Sequence, residues 1–165
     1  MMNERTFKWN LPNDAVQKLV SLDKKQRIDF FAKLPMDNVP IGALMDFSRI
    51  TIDDKGQVSF YITPQEFHYN PLGTVHGGLA ATILDSCNSI SANCQLDSGF
   101  LTMTTDIRVN YLRPIMVSTG EVTATAAIEK IGKKVIFVNG SLYDNNGKIY
   151  ATASSTELVV EVPIN

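Results

Sequence analysis

Polar and apolar residues change their spacing several times along this chain. Asn13 or Asp14 can cap a short helix carrying Val16, Leu19 and Val20. Asp23 can cap a second over 24–34, with Ile28, Phe31 and Leu34 on one side and Pro35 as its stop. Residues 43–51 and 57–63 read as strands joined by the turn Asp53-Asp54-Lys55-Gly56. Residues 76–94 read as one helix. Four strand-like runs follow, 102–113, 118–130, 134–144 and 148–161, with a hairpin turn at Asp144-Asn145-Asn146-Gly147. Ile107, Val109 and Tyr111 alternate with Asp106, Arg108 and Asn110, and Val122, Ala124, Ala126 and Ile128 share a face.

The order β-β-α-β-β-β-β with hairpin-sized links implies an antiparallel sheet. One helix of about five turns is then the core element that the sheet curls around. The fold class is α+β: a helical N-terminal extension, residues 1–36, precedes a principal domain, residues 37–165. Residues 149–156 are mostly Ala, Ser and Thr, small enough to let a sheet approach a helix closely.

Composition narrows the function. Charged residues make up 19%, below the usual ~25%, which points to surface covered by another copy of the chain. Fifteen basic residues against seventeen acidic ones give a net charge of −2 and argue against a nucleic-acid partner. The extension has only a small basic excess, so it reads as a packing or lid segment rather than a DNA-binding helix pair. Two Cys and two His without ligand-like spacing give no metal site. No apolar leader and no membrane-length apolar run are read, so the expected location is cytoplasmic. The chain has no G-x-S-x-G and no Walker or Rossmann glycine pattern, so neither an α/β-hydrolase nor a nucleotide cofactor is expected.

The helix over 76–94 carries the chemistry. Leu79, Ile83, Cys87, Ile90 and Cys94 fall within about 80° on a helical wheel and form the stripe toward the sheet. Both cysteines are therefore expected to be buried thiols. Ala81, Thr82, Asp85, Asn88, Ser89 and Ala92 lie opposite. Asp85 is the sole charged residue between His76 and Asp97. A lone carboxylate among small residues is costly to desolvate and is a functional candidate. At the helix start, Gly77 and Gly78 present backbone N–H groups at the positive end of the dipole, a natural oxyanion site.

Asn70, the His76-Gly77-Gly78 turn, Asp85 and Tyr111-Leu112-Arg113-Pro114 resemble the hotdog-fold acyl-CoA thioesterases of the phenylacetyl-CoA thioesterase (PaaI-like) family. Gly132-Lys133 and the Ala-rich strand 148–160 add to the likeness, which covers about 40–163 and leaves 1–36 outside. The resemblance implies a long central helix wrapped by a curved antiparallel sheet of five to six strands. It implies hydrolysis of a small aromatic or aliphatic acyl-CoA, with CoA part of the substrate and no cofactor. Gly77 would polarise the thioester carbonyl, and Asp85 would act as general base or nucleophile. Asn70 would orient water or carbonyl, and Thr104 would assist the acid. His76 would fix the turn or move protons. Gly78, Arg113, Lys130, Lys133 and Lys134 are candidates for holding the substrate. Gly77 and Asp85 lie eight residues apart, about 12 Å along a helix axis. Both reach one thioester carbon only if they come from two copies in a dimer, which could pair again into a tetramer. A non-catalytic acyl-CoA sensor on the same fold is the alternative.

Overall fold

The computed structural model describes residues 4–10 and 12–164. Residues 1–3 and Leu11 of the expected extension, and Asn165, lie outside them. Three short helices come first: α1 (Ala15–Ser21), α2 (Lys24–Ala32) and α3 (Pro40–Met45). Then follow β1 (Arg49–Ile52), β2 (Val58–Ile62), the long helix α4 (Gly77–Asn93), and strands β3 (Phe100–Tyr111), β4 (Val122–Ile131), β5 (Val135–Asp144) and β6 (Ile149–Glu161). The six strands form one antiparallel sheet in the order β1-β2-β4-β5-β6-β3. This is the hotdog arrangement expected from the sequence.

Each element has a local cause. Asp23 accepts from the Gln26 N–H at 2.9 Å, and the Gln26 side chain accepts from the Asp23 N–H, also at 2.9 Å, forming a capping box for α2. The two hairpin turns close through aspartates: Asp53 Oδ1 accepts from Lys55 and Gln57, and Asp144 Oδ1 from Asn146 and Lys148. The strand expected over 43–51 is corrected. Its first part is helix α3, opened by Pro40 at the first turn and ended by Asp46 in the left-handed region at φ 62°. Only the stretch from Arg49 is strand.

The sheet wraps α4 more deeply than the expected stripe. Leu79, Ala80, Ile83, Leu84, Cys87, Asn88, Ser91, Ala92 and Asn93 are all buried. Asn88 and Ala92, expected on the outer face, therefore belong to the covered side, and Ile90 is only partly buried. A curved sheet covers a wider arc than a flat one. Ala81, Thr82, Asp85, Ser86 and Ser89 remain partly open. Both cysteine thiols are buried, as expected; burial pushes the Cys94 thiol up to about 12, and Cys87 is raised for the same reason.

The N-terminal helices dock on the far end of α4. Val20 and Phe31 are buried with the core, and the Val20 carbonyl accepts from the Gly99 N–H at 2.9 Å. Arg27 of α2 is fully buried. It donates to four carbonyls: Leu22 (3.0 Å), Asn93 (3.4 Å), Asp97 (3.0 Å) and Phe100 (2.6 Å). A cation beside the C-terminal carbonyls of a helix also opposes the negative end of its dipole. Replacing Arg27 with Ala leaves several of these carbonyls dry and unpaired. We expect a loss of about 3 kcal/mol in urea unfolding; a midpoint equal to wild type contradicts this account.

Candidate active site

The turn that opens α4 is held by its own polar groups. Asn70 Oδ1 accepts from the Leu72 N–H at 2.9 Å, and Asn70 Nδ2 donates to Thr74 Oγ1 at 3.0 Å. The amide keeps a second N–H for a ligand. His68 lies buried below. Its Nδ1 accepts from the Gln65 N–H at 2.9 Å, so its Nε2 carries the proton toward the Met45 carbonyl at 3.0 Å. Burial holds His68 below the usual histidine pKa. Its carbonyl accepts from the His76 N–H at 2.8 Å, tying the turn down.

His76 caps α4. Its Nδ1 accepts from the Gly78 N–H at 2.8 Å, and its carbonyl accepts from the Leu79 N–H at 2.9 Å. Gly78, expected to offer its N–H to substrate, thus has that group occupied. The Gly77 N–H has no acceptor among the described residues, and it points out at the positive end of the dipole. Tyr111 donates its hydroxyl to the Gly77 carbonyl at 3.2 Å. A Cβ at position 77 would sit 3.1 Å from that ring, so glycine lets the ring lie over the helix start. Asn70, His76, Gly77, Tyr111, Arg113 and Tyr150 line a cleft of about 330 Å³. On the other side of the turn, a cleft of about 680 Å³ is lined by Phe7, Leu44, Met45 and Phe67 together with Gly78 and Thr82.

Asp85 sits eight residues on, about 12 Å along the axis, in a different cluster. Thr104 Oγ1 is 2.9 Å from Asp85 Oδ1 and 3.1 Å from Glu157 Oε2. Ser155 donates to Glu157 Oε1 at 2.8 Å, and Asn88 Nδ2 donates to Ser155 Oγ at 3.1 Å. Burial raises the Glu157 pKa above the usual carboxylate range, with the nearby acids Asp85 and Asp106 adding to the effect. A bulge aims Thr104. The β3–β6 register shifts between Thr104 and Asp106, so Thr102 and Thr104 turn toward the helix before it, and Ile107 and Val109 after it.

The structure divides the expected site residues into two sets. Asn70, His76, Gly77 and Arg113 share one end of the sheet, where Arg113 donates to the Ile149 carbonyl. Asp85 and Thr104 lie toward the other end. Lys130, Lys133 and Lys134 are exposed there around the β4–β5 turn, close in register to Glu157, which pairs with Ile136. Sequence reasoning assigned no role to Tyr111 and missed Glu157, Ser155 and His68. For Glu157 a signal existed: it is the one charged residue at an inward position of a strand whose inward neighbours are Ala151, Ala153 and Ser155. Among the described residues no three His, Cys, Asp or Glu side chains are placed to hold a metal ion.

A long helix wrapped by a six-stranded antiparallel sheet defines the hotdog fold. Residues 72–151 match the family model of the thioesterase superfamily, a span that includes Gly77, Asp85, Thr104 and Arg113. The matched span is just under half of this chain. It is 34% identical to mouse acyl-coenzyme A thioesterase 13 over 94 residues, 56% of this chain and 66% of the mouse protein. In fold it matches the PaaI protein of the phenylacetic acid degradation operon of E. coli, with a TM-score of 0.71 and 18% identity over 84% of this chain and 96% of that one. A Bacillus halodurans protein solved with CoA matches with a TM-score of 0.68 and 22% identity over 92% of this chain and 97% of that one.

The contact beneath Asp85 is testable. Gly140 of β5 lies under α4, and a Cβ there would stand 2.7 Å from Asn88 Oδ1 and 3.0 Å from Leu84 Cδ2. Gly140→Ala forces the Asn88 and Leu84 side chains to shift in a packed interior, at a cost of about 1–3 kcal/mol. A lower Tm is the expected result; an unchanged Tm shows that the Asn88 and Leu84 side chains have room to move.

Proposed function

We propose that this protein is an acyl-CoA thioesterase whose site is built from two copies of the chain. One observation carries the reading: a single helix offers an unpaired N–H at its start, Gly77, and a half-open carboxylate two turns on, Asp85, held by a hydroxyl. The first is an oxyanion donor and the second a base, the two parts that thioester hydrolysis needs. The Gly77 N–H, aided by the helix dipole, binds the carbonyl oxygen as it becomes an oxyanion. Asn70 orients the carbonyl or the water. Asp85, with Thr104 on its Oδ1, takes the proton of the attacking water or attacks the carbonyl itself. Collapse of the adduct expels the CoA thiolate. His76 holds the turn in shape as a cap.

The two sets are too far apart in one chain to act together. β3 offers a remedy: it is a twelve-residue strand at the edge of the sheet, and an edge of that length calls for a partner. Two-fold antiparallel pairing of β3 with its copy sets the Tyr111 end of one protomer against the Thr104 end of the other. The partly open small residues of α4 then face their equivalents. Arg113 from one chain and Lys130, Lys133 and Lys134 from the other supply cations for the anionic CoA. The apolar cleft beside Gly78 and Thr82 suits an aromatic or aliphatic acyl group.

Hydrolysis of a panel of acyl-CoA substrates, followed with a thiol reagent, tests the activity; binding without turnover means a sensor instead. Asp85→Asn keeps the shape and removes the base, so kcat should fall by about 10²–10⁴-fold while the fold persists. Turnover at the wild-type rate sinks the assignment of Asp85.

The shared site has its own test. Asp85→Ala and Asn70→Ala homodimers should each be nearly inactive. Unfolded and refolded together in equal amounts, they pair at random. Half of the dimers are then mixed, and each holds one site with both changes and one with neither. Activity should return to about a quarter of wild type. If the mixture stays at the average of its parents, both residues act within one chain.

A further inference from the structure

Glu157 is fully buried, and neither ion pair among the described residues involves it. Its neighbours are hydroxyls and acids. Ser155 from its own strand reaches Oε1, Thr104 from β3 reaches Oε2, and β5 presents Ile136. The titratable groups near enough to act on it are Asp85 from α4 and, from the outer face of β3, Asp106, both acidic.

The Thr104 hydroxyl has one proton and lies between two carboxyl oxygens, at 2.9 Å from Asp85 and 3.1 Å from Glu157. With both acids ionised it can serve only one, and the other carboxylate oxygen faces a lone pair. One added proton resolves the conflict. On Glu157 Oε2 it gives a chain with one proton per link: Ser155 O–H to Glu157 Oε1, Glu157 Oε2–H to Thr104 Oγ1, and Thr104 O–H to Asp85 Oδ1. We propose that Glu157 is a positioning residue, kept as the neutral acid, that donates to Thr104 and so commits the Thr104 proton to Asp85. Asp85 Oδ1 is then fixed, and Oδ2 is presented to the reacting group. This rests on the reading of Asp85 as the reacting acid.

Glutamine copies the neutral acid, with an amide N–H for Thr104 and a carbonyl for Ser155; alanine copies neither. Glu157→Ala should lower kcat about tenfold, the worth of one lost hydrogen bond, with KM within about twofold. Glu157→Gln should recover most of that loss. Because Glu157 acts through Thr104, the double variant Thr104→Val, Glu157→Ala should be no slower than Thr104→Val alone. Equal impairment of the Ala and Gln variants, wild-type kcat in Glu157→Ala, or additive losses in the double variant each overturn the proposal.

A second measurement needs no substrate. An acid whose pKa is raised on folding keeps its proton in the folded state and releases it on unfolding as pH rises. Wild type should therefore lose stability relative to Glu157→Gln as pH rises above the ordinary carboxylate range, and the Tm difference should move steadily in that direction. A gap independent of pH means that Glu157 is not held neutral, and the proposal fails even where Glu157→Ala does not fold. Absence of hydrolysis by wild type removes the thioesterase reading, while the stability measurement still decides where the proton sits.

Discussion

The closeness of α4 to the sheet is the constraint that everything else obeys. The inner face of the sheet is floored by small residues, Ala124, Ala126, Gly140, Ala151 and Ala153, all buried. At Gly140 even a methyl group would collide with Asn88. A helix lying so deep is covered over most of its circumference, and the strip left partly open consists of small residues, Ile90 and Asp85. Apolar burial sets the helix position, and the helix position aims the carboxylate.

That depth also brings polar groups under the helix. Asn88, Ser155, Glu157 and Thr104 form a continuous line from the buried side of α4 to Asp85. Each group is costly to bury alone and more tolerable when its neighbour supplies a donor or acceptor, although Asn88 Oδ1 has no partner among the described residues. Two acids joined by one hydroxyl repel each other if both are charged, so the line also influences where protons reside.

Both ends of α4 are used, for opposite reasons. At the N-terminus the Gly77 N–H has no acceptor among the described residues, where the dipole favours developing negative charge. The C-terminus turns the Asn93 carbonyl toward Arg27, together with those of Asp97 and Phe100 beyond it, where the dipole favours a cation. One end is left open for chemistry. The other is closed by the N-terminal segment, which a count of charges described only as slightly basic.

Much of this was written locally. The helix, its polar outer strip, the turn at Asn70 to Gly78, the cap at Asp23 and the long strands follow from spacing, caps and alternation, which depend on neighbours within a few residues. Three things did not follow. Strand alternation read without a break puts Thr104 on the face of Asp106 and Arg108; the bulge that reverses it arises from pairing with β6, fifty residues away in the chain. Glu157 gains its meaning from Thr104 and Asp85 across the sheet, contacts that no local pattern records. The burial of Asn88, Ala92 and Arg27 depends on how far the sheet curves and where α2 lands. Local sequence determines which elements form and which residues can do chemistry; only packing between distant segments decides which faces are covered and which groups meet.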